Sequence, residues 1–185
     1  SLSLCNYSDV PPEHPINKSV QLSNLYGLVD AKEYPHAPSY NIRDFEDPVL
    51  AMAIIRGQDK GVFGVNEMMT VAEADVVLGR AQKALNLPVK KGIVGGKAHH
   101  YVSRGEFAKA VCNAFPALNY VTPPKDDHPP FSVPGNRNSE YVETLGRLGI
   151  LDVYGTKQDF AYGKSVTKGE AADIVVRACV EAAGL

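Results

Sequence analysis

Three stretches of the chain repeat one succession of polar and apolar positions. Each opens on an apolar residue (Met69, Val102 or Val166), continues with a hydroxyl, and reaches a glutamate three places later. The copies are Thr70-Val71-Ala72-Glu73, Ser103-Arg104-Gly105-Glu106 and Thr167-Lys168-Gly169-Glu170. Apolar runs follow at Val76-Val77-Leu78, Ala110-Val111-Cys112 and Ile174-Val175-Val176, and one shared column holds Ala81, Ala114 and Ala178. A hydroxyl and a glutamate so spaced form a capping box, in which each side chain satisfies an orphan N–H of the first helical turn. The apolar residue before the box can pack back on the helix as a staple. One such box arises often by chance. Three, each with an apolar lead and an apolar run behind it, mark an internal repeat. The pattern predicts helices near 70–85, 103–115 and 167–183, with Thr70, Glu73, Ser103, Glu106, Thr167 and Glu170 as structural caps.

Other segments carry helical periodicity without the box. Pro15 to Val29 has Val20, Leu22, Leu25 and Leu28, and ends near Gly27. Pro48 to Gly57 carries Leu50, Met52, Ile54 and Ile55. Asn138 to Gly149 carries Tyr141, Leu145 and Leu148, with Gly149 placed as a C-terminal stop. Residues 30–47, 88–101, 121–137 and 152–165 are rich in Pro, Gly and His and read as loops. The third, with Pro123-Pro124, Pro129-Pro130 and Pro134-Gly135, reads as a linker. No run alternates convincingly with the period of a strand, so the fold class is mainly α.

Composition narrows the picture. With 44% hydrophobic and 22% charged residues in 185, the chain can bury a core of its own and is not a disordered tail. A formal net charge of −2 and scattered lysines and arginines give no broad attraction to nucleic acid or anionic lipid. No stretch approaches the roughly 18 apolar residues that span a bilayer, so no membrane insertion is expected. Cys5, Cys112 and Cys179 are too sparse for a disulfide framework and form no zinc-type pair. Cys112 and Cys179 fall in apolar helical patterns and read as small core residues.

Candidate chemistry is thin. Gly95-Gly96-Lys97 precedes His99-His100, but Lys91 and Ala98 stand where a phosphate-binding loop needs its first glycine and its final hydroxyl. Adjacent histidines project differently and lack a second pair of ligands. Asp126-Asp127-His128 is a weak metal candidate in a Pro-rich loop. No nucleophile elbow is present, and no cysteine stands in a recognised catalytic context. The expectation is no catalytic residue, no metal site and no cofactor.

The repeated residues resemble the S-layer homology (SLH) domain, whose units pair an F-x-D-V…H opening and a short helix with a Gly-containing loop, then a helix opening on I/V-T-R-A-E-F/A. Val102 to Ala108 is the nearest copy of that last motif, Val166 to Ala172 the next, and Met69 to Ala74 the most divergent. Tyr7-Ser8-Asp9-Val10-Pro11 with His14 resembles the opening. Leu145 to Leu151 resembles the helix and its Gly-containing loop, and Phe160 sits at the loop's aromatic position. The spacing is uneven, since Glu106 follows Glu73 by 33 residues and Glu170 follows Glu106 by 64. The middle unit therefore lacks its first helix. The chain contains no Trp, and Pro15 follows His14 where the family commonly has one.

The resemblance implies three SLH-like helix-loop-helix units in a pseudo-threefold bundle. Residues 1–87 would form unit 1 with an extra helical segment, 88–120 a shortened unit 2, and 121–185 a linker and unit 3. It further implies grooves between units that hold an acidic cell-wall polysaccharide, with the motif's basic residue meeting the acidic substituent. Only Arg104 and Lys168 carry over to that role, since Val71 takes the place in the first motif. Arg suits it best because its planar fork can bind a carboxylate bidentately. With no Trp, sugar stacking would fall to Tyr101, Tyr162 or another aromatic. The function implied is a non-catalytic module that anchors a protein to the bacterial surface, extracellular in location. A second reading is a structural subunit of a surface layer or virus particle, whose SLH-like helices pack on other copies or other structural proteins.

Overall fold

A computed structural model describes residues 7–32, 61–121, 135–155 and 159–184. The segment 48–57, the Asp126-Asp127-His128 cluster, Cys5 and most of the 121–137 linker lie outside the described residues. The described part is mainly helical: α1 (Asn17–Leu25), α2 (Val71–Ala84), α3 (Arg104–Ala114), α4 (Ser139–Arg147) and α5 (Lys168–Ala183). A short 3-10 turn at Pro116–Tyr120 falls in a stretch that periodicity leaves unassigned, and another at Asp152–Tyr154 opens a segment that reads as loop. Among the described residues β pairing is limited to isolated bridges.

The capping boxes decide where α2, α3 and α5 begin. Thr70, Ser103 and Thr167 take extended backbone, each hydroxyl accepts from the N–H of its glutamate, and each glutamate accepts from the cap N–H. That leaves two orphan N–H groups in each first turn, and the neighbouring segment takes both. Val71, Arg104 and Lys168 donate to the carbonyls of His100, Lys164 and Glu67, each at 2.8 Å. Ala72, Gly105 and Gly169 donate to Ala98, Tyr162 and Val65 at 3.0, 3.1 and 3.0 Å. The residues before the caps then join one another. Met69 donates to Val166, Val166 to Val102 and Val102 to Met69, at 3.0, 2.9 and 3.0 Å. The three bonds form a closed cycle whose members are all buried. Each motif helix is thus seated on the segment that leads into another.

Burial follows the helical stripes. α2 buries Val71, Ala74, Val77, Leu78 and Ala81, α3 buries Phe107, Val111 and Cys112, and α5 buries Ala171, Ile174, Val175 and Ala178. α1 packs on α5 and α4 packs on α3, while α2 touches both α3 and α5. Both α1 and α4 stop in the same way. Gly27 (φ 63°) and Gly149 (φ 75°) take the left-handed conformation, and the next residue's N–H reaches back to Ser23 or Leu145. No helix lies between α2 and α3. Residues 87–98 cover that flank instead, held by the Lys90 N–H to Gln82 and the Val94 N–H to Asp75, both at 3.0 Å.

The Tyr7–Val10 opening joins this frame at several points, and Asp9 makes three of the bonds. Asp9 accepts from the backbone N–H of Phe63 at 2.9 Å and of Gly64 and Val65 at 2.8 Å. Burial opposes its ionisation, but those donors outweigh burial and hold the carboxyl below its ordinary value. Val65 in turn accepts from Gly169, so Asp9 fixes the seat of α5.

Candidate functional site

Where one motif helix begins beside the next, its first residue stands near the capping glutamate of another. Grooves open at two of these junctions, Lys168 near Glu73 and Val71 near Glu106, and at the third the Arg104–Glu170 pair is mostly buried. The helix N-termini themselves offer no anion site. Their four N–H groups are taken by the cap, the glutamate and the neighbouring carbonyls, so no free donors converge with the motif cation.

Arg104 is closed in. Its side chain is 12% exposed, its Nε faces Glu170 Oε1 at 3.5 Å, and its Nη1 donates to the Phe160 carbonyl at 3.2 Å. Its guanidinium carbon lies 4.2 Å from the centre of the Tyr154 ring. The Tyr154 hydroxyl donates to Glu170 Oε1 at 3.2 Å, and burial, then that carboxylate, raises its pKa so that it stays a donor. Lys168 is also matched, with its ammonium 3.5 Å from Glu67 Oε2. Glu67 also binds Lys32 at 2.7 Å, and Lys32 is the chief reason its carboxyl stays below the usual range. Both motif cations therefore have carboxylate partners within the protein, which neither motif spacing nor composition reveals.

The aromatic candidates separate. Tyr101 is 54% exposed and lines the groove between Val71 and Glu106. Tyr162 is half-buried, its ring 5.1 Å from that of Phe160 and its hydroxyl enclosed. It serves chiefly to fill space over Gly105, where an added Cβ would stand 3.0 Å from its ring.

The grooves differ in lining. The one beside Lys168 is largely apolar, walled by Met69, Val76 and Val77, with Asp30 and Arg80 paired at its edge at 3.0 Å. The one between Val71 and Glu106 is bounded by the Gly95-Gly96 turn, Tyr101 and His100, and receives Lys97, Lys109 and Arg137. The hollow beside the start of α5 contains Asp152, Glu170 and Asp173 with Lys164 and Arg177. Asp173 is already committed, accepting from Ser19 at 2.6 Å and Arg177 at 2.9 Å. The rings of His99 and His100 meet edge to face at 4.7 Å. Among the described residues no three His, Cys, Asp or Glu side chains gather as a metal site would require.

No protein-family model matches the chain, and no curated protein matches it.

Proposed function

We propose that the chain is a non-catalytic binding module of three SLH-like units in a pseudo-threefold bundle, and that it holds an acidic cell-wall glycan in a groove between units. The observation that carries this reading is the threefold recurrence of one bonding scheme. Nine backbone hydrogen bonds, three at each of α2, α3 and α5, link every motif helix to the segment before another. A frame built this way presents clefts at its junctions and fixes their walls by backbone bonds, which suits binding without chemistry. Units 1 and 3 each add a first helix (α1, α4), and the middle unit has none. Lys168 serves as an ion-paired wall of its groove and Arg104 as a mostly buried ion-paired post at its junction. Anchoring to an extracellular surface is the function that follows.

The test is co-sedimentation with purified bacterial sacculi, before and after acid extraction of the wall-linked acidic polymer. Binding that extraction abolishes supports the reading. Absence of binding to untreated sacculi rejects it.

A second reading, a structural subunit of a surface layer or virus particle, is favoured by the flank of α2. Val76, Leu87 and Val89 are 48%, 37% and 52% exposed there, and among the described residues no helix covers them. A module of that kind would self-associate or join other structural proteins, which sedimentation velocity across a concentration series would register.

A further inference from the structure

Resting on the glycan reading, we infer that the ligand's acidic group binds in the groove between Val71 and Glu106, the one whose motif has lost its cation, and that Lys97, Lys109 and Arg137 receive it beside Tyr101. Three residues after the capping glutamate, one turn along the same face, α2 has Val76, α3 has Lys109 and α5 has Asp173. That position puts an apolar side chain at the first groove, a cation at the second, and a carboxylate at the hollow beside the start of α5.

The remaining lining deepens the contrast. Around the second groove stand Lys97, Lys109 and Arg137 against Glu106 alone. In the first, Arg80 and Lys168 face Asp30 and Glu73. In the hollow beside the start of α5, Lys164 and Arg177 face three carboxylates. Only the second groove carries excess positive charge among the described residues, although the molecule as a whole is net negative. Those cations are also available. Neither Lys97 nor Lys109 has an ion-pair partner among the described residues, and Arg137 holds Glu106 only at 3.7 Å with its side chain 82% exposed. Arg104 and Lys168, by contrast, are held by Glu170 and Glu67.

The shape fits an acidic sugar. The cavity is about 360 Å³, inside the roughly 300–1,000 Å³ range of small-ligand sites. Tyr101 offers a flat, half-exposed ring on which the apolar face of a pyranose can lie, while the ammonium and guanidinium groups meet its carboxylate. Gly95 and Gly96, at φ 74° and 85°, turn the chain so that Lys97 faces the groove.

Charge reversal tests the assignment, with sacculi that retain their acidic polymer as the probe. Lys109→Glu and Lys97→Glu each change the net charge by two and lie on the surface, so folding, checked by circular dichroism, is preserved. Lys164→Glu makes the same change at the hollow beside the start of α5. The expected result is a tenfold or greater loss of binding for each of the first two, and less than a twofold change for Lys164→Glu. Equal losses in all three would show a response to net charge and overturn the assignment. Parent-like binding by Lys97→Glu and Lys109→Glu would place the site elsewhere while leaving the glycan reading intact. A parent that does not bind these sacculi would fail the glycan reading, and the groove assignment with it.

Discussion

The capping carboxylate of Glu170 is shared with Arg104, whose guanidinium carbon lies 4.2 Å from the centre of the Tyr154 ring while the Tyr154 hydroxyl donates to that same carboxylate. One glutamate therefore caps α5, neutralises a mostly buried cation and fixes an aromatic ring.

Unequal stability costs at equivalent glutamates follow from this. Glu73→Ala removes chiefly a cap from α2 and should cost about 1 kcal/mol. Glu170→Ala also leaves Arg104 without its carboxylate, and should cost about 3 kcal/mol or more. Urea unfolding of both variants checks this. Equal costs would mean that the Arg104 pair contributes nothing.

Glycine at the second helical position behaves in the same graded way. At Gly169 an added Cβ would lie 2.5 Å from Val65 Cγ2 and 2.8 Å from the Val65 carbonyl oxygen, so backbone must shift. At Gly105 the nearest atoms are side chains of Tyr162 and Asn138, at 3.0 and 3.1 Å. Gly169→Ala should lower stability by about 1–3 kcal/mol, and Gly105→Ala by less. The equivalent residue of α2 is already Ala72. Thermal melts rank the two variants, and the reverse order would contradict the seating of α5 on Val65.

How far the sequence reveals this architecture depends on range. The capping boxes of Thr70, Ser103 and Thr167 are legible because the chemistry lies within four residues, and so are the stops at Gly27 and Gly149. The cycle through Met69, Val102 and Val166 is not, since those residues look like ordinary apolar leads and their backbone bonds have no side-chain signature. The neutralisation of Arg104 is hidden for a similar reason, because Glu170 lies 66 residues away and already has a local role. Lys97, Lys109 and Arg137 come from a loop, a helix and the lead into α4. Only Lys109 had a local signal, one turn beyond Glu106 in the place where the other copies carry Val76 and Asp173.

Acid should weaken the fold through Asp9. Its folded pKa is lowered, so its stabilisation is present above the unfolded value of about 3.9 and is lost as pH falls through the folded value. Asp9→Asn should cost about 1.5–3 kcal/mol near neutral pH, the scale of hydrogen bonds to a charged acceptor. The difference from the parent should shrink below about pH 4. Chemical denaturation at pH 7, 5 and 3 measures it, and a gap independent of pH would show that the charge of Asp9 does not matter.

Thiol chemistry should be silent in the folded chain at two of the three cysteines. Burial pushes Cys179 up to about 12, and burial with the nearby Glu140 carboxylate does the same for Cys112. Iodoacetamide at pH 8 should leave both unmodified in buffer and modify both in guanidinium chloride, as read by peptide mass mapping. Rapid modification of either in the folded protein would contradict its burial.

The most direct measurement of the central claim is amide chemical-shift mapping of the labelled protein, titrated with acidic glycan fragments released from bacterial walls. The account predicts saturable shifts centred on Gly95, Lys97, Tyr101, Lys109 and Arg137, with the amides of α5 near Lys168 unmoved. No shifts at saturating fragment, or shifts confined to the apolar flank of α2 around Val76 and Val89, would contradict it.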